Sequence, residues 1–171
     1  LGGDLGFFMN VLWLEGNGFT GLTWLEKPGM VEMDALHFQP VRRLVALFYN
    51  YVPQAEFLLG FQSVGLFAAM FFIYLIGIEF FKRKDISVIM AFAYGISPYT
   101  IRSIDSDFHF APVFAVALFG FLYAAIRKNL FFLIIFFCLG VFLREDTPIY
   151  LSLISLYLFV KLKEKKFIYL S

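Results

Sequence analysis

Long apolar runs separated by short polar words make up most of this chain. From Phe57 to Phe81 nearly every position is apolar, broken by Gln62, Ser63 and Glu79 and closed by Lys82-Arg83-Lys84-Asp85. A helix needs roughly 20 predominantly apolar residues to cross a bilayer, so this run predicts one full span with a basic stop. A second run, Ile86 to Ser97, is expected to end or kink at Pro98, because a residue before proline is pushed out of helical geometry. The third begins near Ser106 and reaches Ile126 before Arg127-Lys128-Asn129, the fourth is Leu130 to Leu143, and the fifth runs from Pro148 to about Leu162. Several of these are short for a straight span, which predicts loops dipping below the headgroups or helices continuing into the polar words.

Residues 1–53 are patterned differently from residues 54–171. Gly2, Gly3, Gly16, Gly18, Gly21, Gly29, Pro28, Pro40 and Pro53 interrupt short amphipathic stretches, none long enough to span. Leu5 to Leu14 and Val41 to Tyr51 carry apolar residues at helical spacing, and Trp13, Trp24, Tyr49 and Tyr51 suit the headgroup zone. The expected organisation is an outer loop with interfacial helices over 1–53 and a helical membrane domain of about five segments over 54–171.

Composition agrees with the pattern: 61% of residues are hydrophobic and 16% charged, with 25 Phe in 171 residues. That is outside the usual range of soluble domains and fixes the expected class as an all-α, multi-pass helical membrane protein. The net charge of +1 has no basic soluble face behind it, so no nucleic-acid partner is expected; the partner is the lipid bilayer. Cys138 lies within an apolar run, where it is expected to serve packing. Leu1 is not an initiator Met and Phe167 to Leu170 reads like the start of another apolar segment, so a piece of a longer polytopic chain is expected.

Charge sets the expected orientation. Placing the turns after Phe81, Ile126 and Val160 on one side gathers 9 of the 14 basic residues there, and the positive-inside rule makes that side cytoplasmic. Asp4, Glu15, Glu26, Glu32, Asp34, Glu56, Asp105, Asp107, Glu145 and Asp146 then face outward with both histidines, His37 and His109. The expected location is the cytoplasmic membrane of a prokaryote, with the candidate chemistry outside.

Four words carry that chemistry. They are Asp4 opening an amphipathic stretch, His37-Phe38-Gln39-Pro40, Asp107-Phe108-His109 before Pro112, and Arg144-Glu145-Asp146 before Pro148. Asp4, Asp107 and Glu145 also suit helix N-caps, and His37 a plain interfacial position. Taken together, acids beside His or Arg in a low-dielectric pocket acquire shifted pKa values and can act as general acid, base or anion clamp. The Arg144 guanidinium suits a phosphate, whose oxygens its paired donors match. His37, Asp107, His109 and Glu145 form a donor set that a divalent metal would accept, although no spacing such as HExxH accompanies it; the cofactor stays open. P-loop, dinucleotide and nucleophilic-serine motifs are absent from the sequence.

The order Asp4-Leu5-Gly6-x-Phe8-x-Asn10-x-Leu12-Trp13, then His37-Phe38-x-Pro40, Asp107-Phe108-His109 and Arg144-Glu145-Asp146 resembles the predicted-membrane-protein family known as domain of unknown function 2079. That family is in turn similar to the C-type membrane glycosyltransferases. Asn10 stands where the family usually has Gln, and Arg144 where Lys is common; both keep hydrogen bonding or charge. The resemblance implies a C-type glycosyltransferase-like fold in which a first helix, absent ahead of Leu1, delivers Asp4 to a large outer loop, and in which a C-terminal part is missing. It implies transfer of a sugar from a polyprenyl-phosphate donor to a lipid or envelope acceptor at the outer face. Asp4 would be the catalytic base, Arg144 the phosphate ligand, and His37, Asp107, His109, Glu145 and Asp146 the donor pocket. The alternatives are a transporter or flippase of a lipid-linked or anionic solute, or a non-catalytic envelope assembly partner.

Overall fold

The computed structural model describes residues 3–19, 22–24, 30–32, 39–105 and 108–156. The architecture is helical. Helix α1 (Gly3–Gly16) is followed by a short antiparallel ladder of β1 (Leu22–Trp24) and β2 (Met30–Glu32), with Thr23 opposite Val31, and then by α2 (Val41–Tyr49). The remainder is α3 (Ala55–Phe81), α4 (Lys84–Gly95), α5 (Pro98–Asp105), α6 (Ala111–Ile126), α7 (Leu130–Leu143) and α8 (Thr147–Leu156).

At 27 residues, α3 is about 40 Å long at 1.5 Å per residue. Among the described residues it is the one helix long and apolar enough to cross a membrane; the apolar parts of α1, α6, α7 and α8 are shorter. Only 28% of its most apolar stretch is buried inside the protein. A helix at the heart of a soluble fold would be mostly covered, whereas Val64, Phe67, Phe71 and Phe80 here point outward.

Two prolines reset the expected boundaries. Pro98 starts α5 rather than merely ending α4, since its fixed φ and missing N–H suit a first helical turn. Pro112 does the same for α6, so that helix begins at Ala111 and not near Ser106, leaving Phe108 to Phe110 as a non-helical entry that bends at Phe110. Asn129 caps α7, its side chain accepting the Phe132 N–H at 3.2 Å. Cys138 lies on the exposed face of α7 rather than in packing.

The helices from α3 onward form a bundle in which α3 and α6 are parallel neighbours. Gly65 meets Val113 near their starts, and Glu79 bonds Arg127 near their ends. A Cβ at Gly65 would lie 3.3 Å from the Val113 backbone, so the absent side chain is what lets these helices approach. α4 returns along α3, with Ser87 against Gly77 and Met70 against Gly95, and α7 returns along α6. Consequently the starts of α3 and α6, the end of α7 and all of α5 share one end, and the basic turns share the other.

The core sits at the first of these ends. Leu5, Leu12, Val41, Val45, Ala46 and Tyr49 from α1 and α2 join Leu58, Phe108, Phe110, Val113, Ala117 and Leu143 in one apolar cluster. Residues before Pro53 and residues after it therefore share a core.

Candidate functional site

Gln62 organises the site end. It is a fully amidic side chain on a 27-residue apolar helix and only 2% exposed. Its Nε2 donates to the Ser103 carbonyl at 2.8 Å, and its Oε1 accepts the His109 backbone N–H at 2.8 Å. One side chain thus ties the end of α5 and the Asp107-Phe108-His109 word to α3. Below it Phe108 is wholly buried and Phe110 nearly so. Phe8 of α1 meets both rings edge-on, at 5.2 and 5.6 Å between centroids, and the two rings meet each other at 5.1 Å. Such edge contacts add about 0.5–1.5 kcal/mol each beyond the area they bury.

The Arg144-Glu145-Asp146 word lies where α7 turns into α8. Arg144 grips Asp146 with two bonds, Nε to Oδ1 at 2.9 Å and Nη2 to Oδ2 at 2.7 Å, and its guanidinium lies 5.8 Å from the Phe114 ring centre. Phe114 is in the first turn of α6, five residues after His109, so the two words are neighbours across that turn. The hydrogen bonds that Arg144 donates to Asp146 hold its pKa above the ordinary value, against the opposing effect of desolvation; the charges of Asp146, Glu145 and Tyr99 add to the rise. Arg144 is therefore a permanent cation, and Nη1 is not engaged by Asp146. A small cleft on the Ser103 side of α5 is lined by Leu66, Tyr94, Tyr99, Thr100, Ile104 and Pro112 as well as Ser103.

The expected site residues are thus placed unevenly. His109 is half-buried with its backbone on Gln62, Arg144 and Asp146 form a pair, and Glu145 is exposed. Asp4 belongs to α1, one turn before Phe8, and its side chain, like His37 and Asp107 altogether, falls outside the described residues. Among the described residues no three His, Cys, Asp or Glu side chains gather, and two of the four candidate metal ligands are not in that set.

Two polar features escaped the sequence reading. Gln62 registered only as a break in an apolar run. Glu15 at the end of α1 and Arg42 at the start of α2 form a buried ion pair, Nε to Oε1 at 2.8 Å and Nη2 to Oε1 at 2.6 Å, with 0% of the Arg42 side chain and 3% of the Glu15 side chain exposed. They are 27 residues apart, so no local spacing announces them.

The described residues include one apolar helix of spanning length with phenylalanines on its outward face, the feature expected of a helical membrane protein. The family model described as "Predicted membrane protein (DUF2079)" matches residues 2–171, and the chain belongs to that family. No curated protein and no solved structure matches it.

Proposed function

We propose that the protein is a multi-pass, C-type glycosyltransferase-like enzyme of the cell membrane, transferring a sugar from a polyprenyl-phosphate donor to a lipid or envelope acceptor at the outer face. The observation that supports this reading is convergence. Phe8 of α1, Phe108-His109 and the Arg144-Glu145-Asp146 word come from three segments far apart in sequence and lie at the bundle end opposite the basic turns. Asp4, a turn away from Phe8, is then the base that takes the acceptor proton. Arg144 offers Nη1 to the donor phosphate while Asp146 fixes its plane, and His37, Asp107, His109 and Glu145 shape the pocket.

The test is sugar transfer by the full-length protein from a labelled polyprenyl-phosphate sugar. Asp4→Asn keeps the size of the side chain but removes the base, so transfer should be lost while donor binding is retained. Arg144→Met should weaken donor binding instead. Full activity in Asp4→Asn would remove the central residue of this reading, and absence of donor binding by the wild type would remove the substrate class.

A further inference from the structure

The opposite end of the bundle carries a feature independent of sugar transfer. Glu79 in the last turn of α3 accepts Lys82 Nζ at 3.1 Å on Oε2 and Arg127 Nη1 at 2.9 Å on Oε1. One carboxylate thereby draws together two turns 45 residues apart in sequence, Lys82-Arg83-Lys84 and Arg127-Lys128. Five cations collect there against two carboxylates, Glu79 and Asp85, the latter held by Arg83. Lys84 and Lys128 are exposed and form no ion pair among the described residues.

The backbone supplies a second observation. Lys82 and Lys128 have φ of 55° and 54°, and they are the two non-glycine residues with positive φ among those described. Both follow the C-terminus of a helix, a place where Gly is preferred because it alone takes this conformation without steric cost. Two equivalent positions in two different helices thus hold a lysine at the expense of backbone comfort. A cation near a helix C-terminus gains something from the dipole, but the exposed apolar surroundings point further. Phe80 and Phe81 flank one lysine and Leu130 and Phe131 the other, at 67%, 49%, 69% and 69% exposure. An occupant of this surface must present an anionic head to the lysines and apolar tails to the adjoining rings.

We infer that the joined turns form a binding site for an anionic glycerophospholipid, its phosphate between the α3–α4 and α6–α7 turns and its acyl chains along the outward faces of α3 and α7. Free phosphate satisfies the charges but not the apolar flanks. Each basic residue close to an anionic surface is worth about fivefold in affinity, so loss of two should cost about 25-fold.

The experiment compares full-length wild type with Lys82→Gly/Lys128→Gly in neutral detergent, titrated with phosphatidylglycerol or phosphatidylcholine and read by native mass spectrometry alongside thermal unfolding. Wild type should retain phosphatidylglycerol preferentially and gain thermal stability from it. The double glycine variant should bind that lipid about 25-fold more weakly, while its lipid-free unfolding temperature is unchanged or higher, because glycine relieves the positive φ. Lys82→Asn/Lys128→Asn, also compatible with this backbone, should repeat the loss. Equal retention of both lipids by the wild type, undiminished phosphatidylglycerol binding in both variants, or equal stabilisation by inorganic phosphate would each overturn the inference.

Discussion

Gln62 shows how much a single side chain can matter when no water is at hand to replace it. Gln62→Leu leaves the His109 N–H and the Ser103 carbonyl without their partner, and a buried polar group so stranded costs about 1–3 kcal/mol. The expected outcome is a lower unfolding temperature in detergent and a sharp fall in whatever activity depends on His109. The Glu15–Arg42 pair makes a different kind of prediction. Removing either charge alone should destabilise by about 3–5 kcal/mol, since it strands the other in the interior, whereas Glu15→Leu/Arg42→Met should recover most of the loss. A double-mutant cycle by thermal or denaturant unfolding measures it; a double-variant loss equal to the sum of the two single losses would show that the pair is not coupled.

Helices were legible where the apolar pattern had clear punctuation. The fourth run, Leu130 to Leu143, is α7 residue for residue, because a lysine and an asparagine cap stand before it and an arginine stands after it. The third run was misjudged at its start: apolar and polar letters alone do not distinguish the non-helical Phe108 entry from a first helical turn, and Pro112 decides the matter. Helix α5 was invisible because its eight residues, though two-faced, are too few and too polar on average to register as an apolar run. The three-residue ladder between α1 and α2 is set by pairing of two very short strands, which no periodicity in either strand reveals. At the candidate site, sequence order showed which words carry charge but not that an amide on α3 holds one of them. The α3–α6 contact gives a prediction at this scale. Gly65→Leu would drive a branched side chain into Val113, part the two helices at the site end, and cost about 1–3 kcal/mol. Gly60, with open space around it, should accept leucine at little cost. Unfolding temperatures of the two variants, side by side, check the difference.

The molecule as a whole has a polar-clustered end and a basic end, and its orientation can be read directly. In a Cys138→Ala background, a cysteine at exposed Lys84 should be shielded from an impermeant thiol reagent in intact cells, and one at exposed Asp105 should be labelled. The reverse pattern would invert the protein and move the candidate site to the cytoplasm. The shared core has a consequence for how the chain is made. Leu12 and Val45 are synthesised early, yet they are buried against Phe108 and Leu143, which emerge about a hundred residues later. At 5–20 residues per second that is a wait on the order of ten seconds. Throughout it, the earlier segment keeps its oily side bare. Membrane surface or a chaperone has to shelter it until the last partner arrives, so a segment made well ahead of its partners is among the last to settle.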